Sequence, residues 1–114
     1  MVQRSSDGGQ TWSKATPLGY NDKKTHMVGP VKNKCLMLEE GLLLAGSSRE
    51  EKFPDEEDFD KKLNWTVHLE WTWDGAKTWN EGPAIHYPGN IIQPSLFRDS
   101  AGNIRLVARE RGTR

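Results

Sequence analysis

Near its start the chain contains the octapeptide Ser5-Ser6-Asp7-Gly8-Gly9-Gln10-Thr11-Trp12, which follows the pattern Ser-x-Asp-x-Gly-x-Thr-Trp at every fixed position. An aspartate side chain accepts hydrogen bonds from the backbone N–H groups of the turn after it, and glycine supplies the positive φ of a tight turn. The threonine hydroxyl closes such a turn, and the tryptophan packs on the adjoining strands as an apolar anchor. The octapeptide therefore predicts a hairpin turn in which the structural roles fall to Ser5, Asp7, Gly9, Thr11 and Trp12.

The pattern returns at Thr72-Trp73-Asp74-Gly75-Ala76-Lys77-Thr78-Trp79, with Thr in place of Ser and Ala in place of Gly. The two copies begin at positions 5 and 72, an offset of 67 residues. A loop, a proline and a hairpin follow each copy, with Pro30 and Gly41 in one unit and Pro94 and Gly102 in the other. A shared order of this kind indicates a structural repeat rather than two unrelated turns. In the second copy the equivalent roles fall to Thr72, Asp74, Thr78 and Trp79.

The remaining segments have the periodicity of β-strands. Large apolar side chains alternate with polar ones from Trp65 to Trp73, whereas a helix would scatter them around its circumference. No stretch combines helical periodicity with a helix cap, so the chain is predicted to be all-β. Two hairpins are expected, one of Val31–Leu38 and Leu42–Ser48 around Glu39–Gly41, and one of Ile91–Arg98 and Ile104–Arg109 around residues 99–103.

Charged residues dominate the stretch 49–62, which also contains Pro54 and predicts a solvated, mobile loop. Its acidic residues lack the glycine of a calcium loop, so we expect no metal there. Cys35 is the single cysteine, which excludes an internal disulfide, and we expect it to be a buried free thiol. Because Cys35 and the three histidines also lack the paired spacings of a zinc site, neither a metal nor a cofactor is predicted.

The composition of the 114 residues limits the classes of partner that the chain is expected to bind. The formal net charge is zero, which argues against nucleic acid because phosphate binding needs a basic surplus. The longest apolar run, Leu42 to Ala45, is far too short to span a membrane. The segment Met1 to Arg4 shows no secretory signal, so no compartment is assigned.

The two octapeptides resemble the Asp-box (BNR) repeat of sialidases and sialidase-like proteins, and they are called Asp boxes from here on. Gly29–Lys34, Val67–Glu70 and Gln93–Leu96 resemble the subgroup often described as predicted neuraminidases, and the resemblance runs from Val2 to Arg111. It implies a six-bladed β-propeller, in which each Asp box joins the third and fourth strands of a blade. Residues 1–114 would form about two four-stranded blades. A propeller closes with about four to eight, so we expect the remaining blades to be needed.

In family sialidases the active site lies on the propeller axis, at the face away from the Asp boxes. A tyrosine nucleophile, a glutamate base and three arginines that clamp the sugar carboxylate carry the reaction. The resemblance thus implies hydrolysis of terminal acidic sugars and a carbohydrate partner. Asp7 and Asp74 are excluded from catalysis by their turn roles, and Tyr20 and Tyr87 do not match the context of the nucleophile. The resemblance assigns substrate binding to Arg109, Arg111, Arg49, Lys32 and Asn33. Glu70 lies on the polar side of its predicted strand and is the candidate base if that side faces the axis or a blade neighbour near it.

Several alternatives stay open. Each arginine can instead be an ordinary surface residue, and Glu70 can form a cross-strand charge pair. The Asp box is specific for the fold and much less so for the reaction. A non-catalytic propeller that binds glycans or proteins, or a polysaccharide lyase acting on uronic acids, fits the same sequence. The arginine-containing N-terminal motif of secreted sialidases is absent, and the chain by itself is expected to be inactive.

Overall fold

A computed structural model describes residues 1–20, 28–52 and 63–111. The predicted all-β class is confirmed, since these residues form β-strands with a single 3-10 turn at Glu39–Gly41. No helix among the described residues is long and apolar enough to cross a membrane. The strands are β1 (Leu36–Met37), β2 (Leu43–Lys52), β3 (Leu63–Thr72), β4 (Asn80–Ala84), β5 (Asn90–Arg98) and β6 (Ile104–Arg111).

The strands form two open antiparallel sheets, as expected for part of a propeller. One has the order β1-β2-β3-β4, and the other is the hairpin β5-β6. β5 packs on β2 and β3, and its Ile91, Ile92 and Leu96 are buried. The N-terminal segment forms an isolated bridge between Val2 and Thr16, which closes the hairpin around the first Asp box.

Two strand boundaries differ from the sequence prediction. The first predicted strand, 31–38, shrinks to the two residues of β1, because Lys32 adopts a φ of 64° and the backbone N–H of Asn33 bonds the carbonyl of Val31. β2 continues into the predicted charged loop, because residues 49–52 find backbone partners in β3, with Arg49 opposite Thr66. Residues 53–62 of that loop lie outside the described residues, as do the acidic residues considered for a metal.

Each aspartate of the two Asp boxes is enclosed by donors of its own turn. Asp74 Oδ1 accepts from the backbone N–H of Thr78 at 2.9 Å and from the hydroxyl of Thr72 at 2.8 Å. Its Oδ2 accepts from the Thr78 hydroxyl, and Asp7 is held in the same way by Ser5 and Thr11. The second box connects β3 to β4, the third and fourth strands of their sheet. The Arg4 guanidinium donates to the Gly75 carbonyl and thereby joins the two boxes.

These bonds make the stability pH-dependent. Hydrogen bonds from Thr78 lower the pKa of Asp74, as those from Thr11 lower the pKa of Asp7. A carboxylate with a lowered folded-state pKa stabilises the fold above its unfolded pKa of about 3.9, and this contribution is lost as the pH falls through the folded value. We therefore expect Asp74→Asn to lower the melting temperature at pH 7, and the difference from wild type to shrink below about pH 4.

Thermal unfolding between pH 2 and 8 measures this effect. Glu50→Gln is the matched control, because Glu50 is an exposed carboxylate on β2, outside either turn. A loss at Asp74→Asn that stayed constant across the whole pH range would show that the charge of Asp74 contributes nothing.

The core beneath the second Asp box is small. Val28, Ala45 and Trp79 are buried together, and Leu18, Cys35, Leu43 and Ala76 pack around them. Cys35 is a free thiol, half-buried rather than buried as expected, and this burial raises its pKa. The segment that begins at Val28 thus covers the face of β2 and β3 that carries Ala45.

Candidate functional site

The strand ends opposite the Asp boxes carry three of the six predicted site residues, Arg49, Arg109 and Arg111. In an antiparallel sheet the β1-β2 turn and the β3-β4 Asp box lie at one end, so the end of β2 and the start of β3 lie at the other. The backbone N–H of Trp65 donates to Asn90 Oδ1 at 2.8 Å, which brings the start of β5 to the same end. We call this the distal end, formed by residues 49–52, 63–66, 84–90 and 109–111.

Arg49 lies at the distal end of β2 and forms an ion pair with Glu81 of β4. The pair spans β3, where the ring of the buried His68 lies 3.9 Å from the same Glu81 carboxylate. The guanidinium of Arg49 therefore neutralises an acidic group of its own sheet, and a ligand carboxylate would compete with Glu81 for it.

Glu70 is fully buried, with 0% exposure, beside this ion pair. Its Oε1 lies 2.9 Å from His68 Nε2, and its Oε2 accepts a hydrogen bond from the backbone N–H of Gly29. Both carboxylate oxygens are therefore used within the fold, and neither reaches the surface. This geometry suits the anchoring of the segment after Val28, while the role of Glu70 as a base stays a prediction.

Arg109 and Arg111 lie at the C-terminal end of β6, where they pair with Ile92 and Asn90 of β5, respectively. The guanidinium carbon of Arg111 lies 5.1 Å from the ring centroid of Trp65, a cation–π contact that joins the two sheets. Arg109 is exposed and Arg111 is half-buried. Of the three predicted arginines, Arg109 is thus the most accessible to a ligand.

Sequence reasoning missed a pairing at the distal end between Tyr87 and Glu110. Tyr87 lies in the β4-β5 connection and is 44% exposed, and Glu110 lies between Arg109 and Arg111 on β6. A hydrogen bond to Glu110, reinforced by the charge of Glu110, raises the pKa of the Tyr87 phenol. Gly89 leaves room for the pair, because a Cβ on it would lie 2.9 Å from Tyr87 Cε1 and 3.1 Å from Glu110 Oε1. The sequence context of Tyr87 does not match that of the family's nucleophile, and only the folded chain brings Glu110 beside it.

Comparison with known proteins gives the family. The model of the BNR repeat-like domain matches residues 1–114, the full length of the chain. The chain belongs to the BNR repeat-like family. BNR repeats occur in sialidases and in other β-propeller proteins. No curated protein and no solved structure matches the chain.

The other two predicted binding residues of this BNR repeat-like domain lie between its sheets. Lys32 Nζ donates to Gln93 Oε1 at 3.4 Å, and Asn33 Nδ2 donates to the carbonyls of Gln93 and Pro94 at 2.8 and 3.1 Å. We call this the inner junction, formed by residues 31–33, Gly46 and residues 93–94. Within the described ranges no group of three or more His, Cys, Asp or Glu side chains is placed to hold a metal ion.

Proposed function

We propose that this BNR repeat-like domain is part of a sialidase-like enzyme that hydrolyses terminal acidic sugars. The observation that supports it best is the proximity of Tyr87, in the β4-β5 connection, to Glu110, which lies on β6 between Arg109 and Arg111. A tyrosine beside a glutamate, with arginines nearby, provides a nucleophile, its base and a carboxylate clamp at one strand end.

The chemistry follows from the protonation of the pair. Hydrogen bonding to Glu110 raises the pKa of Tyr87, so the phenol keeps its proton until the oxygen attacks. Glu110 then takes that proton as Tyr87 Oη bonds the anomeric carbon and the aglycone leaves with a proton from an acid. Water later releases the sugar from the tyrosine.

The alternation of side chains along β6 supports a binding position for the sugar at the end of this strand. Successive side chains of a strand point to opposite faces, so Glu110 lies on one face of β6 and Arg109 and Arg111 lie on the other. A ligand that meets all three must therefore bind across the end of β6. Arg109 is the exposed member and can offer its planar fork to a carboxylate, whereas Arg111 is held by Trp65.

Glycan binding without hydrolysis is the second candidate function. It is favoured by predicted site residues that are already engaged within the fold, Arg49 in its ion pair with Glu81 and the buried Glu70. Such groups stabilise a binding surface but are not free to exchange protons with a substrate.

A fluorogenic sialoside assay on the protein with its complete propeller separates the candidates. We expect the wild type to release the fluorophore and Tyr87→Phe to lower turnover by about 100-fold or more. Arg109→Ala should raise KM. Tyr20→Phe is the matched control, because Tyr20 is exposed outside the distal end and its loss should leave the rate unchanged.

Two outcomes would contradict hydrolysis, and a third would contradict the role of Tyr87. Sialoside binding without release would support the binding protein, and full activity of Tyr87→Phe would exclude Tyr87 as the nucleophile. An unsaturated product that absorbs in the ultraviolet, formed from a uronic-acid polysaccharide, would identify a lyase instead.

A further inference from the structure

Two residues of the inner junction share an unusual backbone conformation. Lys32 has a φ of 64° and Gln93 a φ of 57°, although neither is glycine. Left-handed conformations of such residues are strained and persist where the surrounding structure enforces them, often at ligand sites. Lys32 and Gln93 are 61 residues apart, as are Gly41 and Gly102, whose φ values are 82° and 85°. The strained position therefore repeats from one structural unit to the next.

Both residues lie where the first strand of a sheet is interrupted. Lys32 precedes β1, and the backbone N–H of the adjacent Val31 still bonds the Gly46 carbonyl of β2 at 3.1 Å. Gln93 lies at the irregularity of β5, between Ile92 and Ser95. A bulge of this kind redirects a side chain out of the sheet, and bulges occur often beside active sites.

The bulge of β5 and the segment before β1 are held together by the packing of the sheets. A Cβ on Gly46 would lie 2.8 Å from Pro94 Cγ and 2.9 Å from the Pro94 carbonyl oxygen, so the two sheets are too close here to accommodate a methyl group. The Asn33 amide bonds the carbonyls of Gln93 and Pro94 across the junction. This close approach places Lys32, Asn33 and Gln93 where the two sheets meet.

The strained backbone at the inner junction brings the ammonium group of Lys32 and the side-chain amide of Gln93 together. Lys32 Nζ donates to Gln93 Oε1 at 3.4 Å, which leaves further ammonium hydrogens and the Gln93 NH₂ as donors. Lys32 is exposed and Gln93 is half-buried. A cluster of donors with one positive charge is suited to a carboxylate and its neighbouring hydroxyls.

We propose that Lys32 and Gln93 form a subsite for the acidic sugar, built by consecutive structural units, and that their backbone strain is maintained for this purpose. The subsite deepens the proposed function, on which its assignment to a sialidase-like reaction rests. Asn33 holds the subsite together and does not contact the sugar.

Replacement by glycine separates strain from binding. Gln93→Gly removes the strain and the amide together, so we expect a higher melting temperature and at least tenfold weaker binding of sialyllactose. Lys32→Gly should behave alike. Ala76→Gly is the matched control, because Ala76 has a φ of 70° in the second Asp box, at the opposite strand end. It should raise the melting temperature and leave sialyllactose binding unchanged.

Calorimetric titration of the protein with sialyllactose, and with neutral lactose for comparison, measures the affinities. The proposal fails if Gln93→Gly is more stable than the wild type yet binds sialyllactose as tightly. It also fails if the wild type does not bind sialyllactose more tightly than lactose. If binding depends on Lys32 and Gln93 but no sialoside is cleaved, the subsite stands and the hydrolase proposal fails. If a sialoside is cleaved and Gln93→Gly retains the wild-type affinity and KM, the hydrolase proposal stands and the subsite proposal fails.

Discussion

Glu70→Ala is expected to lower the free energy of unfolding by about 2–4 kcal/mol, because it removes a buried hydrogen-bond acceptor and leaves a cavity in its place. Glu70 is completely buried, and its two oxygens bond His68 Nε2 and the backbone N–H of Gly29. Truncation leaves the backbone N–H of Gly29 without its carboxylate acceptor and removes the 2.9 Å contact to His68, at a position that is fully buried. It also releases the segment that brings Val28 onto Ala45 and Trp79.

Urea denaturation measures the loss, and Glu70→Gln is the graded control. The carboxamide keeps the shape and one acceptor oxygen, so we expect it to cost about 1–2 kcal/mol. If Glu70 served only as a catalytic base, both variants would unfold at the wild-type urea concentration and lose turnover alone.

Gly46→Ala is expected to destabilise the protein by about 2–3 kcal/mol, because the added methyl group meets atoms of Pro94 that cannot withdraw. The new Cβ would lie 2.8 Å from Pro94 Cγ, 2.9 Å from the Pro94 carbonyl oxygen and 3.1 Å from Pro94 Cβ. Pro94 is buried and its ring is rigid, so relief requires the two sheets to move apart. Such a movement would also break the bonds from Asn33 to β5.

Gly82→Ala provides the comparison for Gly46→Ala. Gly82 is also a strand glycine, but its nearest atom is the Leu69 carbonyl oxygen at 3.2 Å, and the next is at 3.5 Å. We expect a change below about 1 kcal/mol in the free energy of unfolding. Equal losses at positions 46 and 82 would mean that the inter-sheet contact is looser than the structure shows.

The Asp boxes were predictable because their physics is local. Asp74 bonds groups within four residues of itself, so the octapeptide specifies its turn whatever surrounds it. The β-strand alternation around Val67 was equally readable. The C-terminal end of β2 could not be predicted from the sequence. Residues 49–52 have the composition of a solvated loop, and they become a strand only because they pair with β3.

The candidate site residues also divide into those that the sequence indicated and those whose surroundings only the packing of the sheets reveals. The resemblance selected Arg109 and Arg111, which the structure places together on β6, yet it passed over Tyr87, whose partner Glu110 is distant in sequence. The strand alternation selected Glu70 for its position on a polar face, and only packing shows that this face is covered by the segment from Val28 to Gly29.

The sequence by itself therefore determined the repeat, its turns and the all-β class, since these depend on hydrogen bonds and periodicity within a few residues. The tertiary structure decided which polar side chains are buried and which meet across sheets. Arg49 with Glu81 and Lys32 with Gln93 are pairs of that kind. Such pairings depend on how the sheets pack, and no local pattern encodes the distance between residues 61 positions apart.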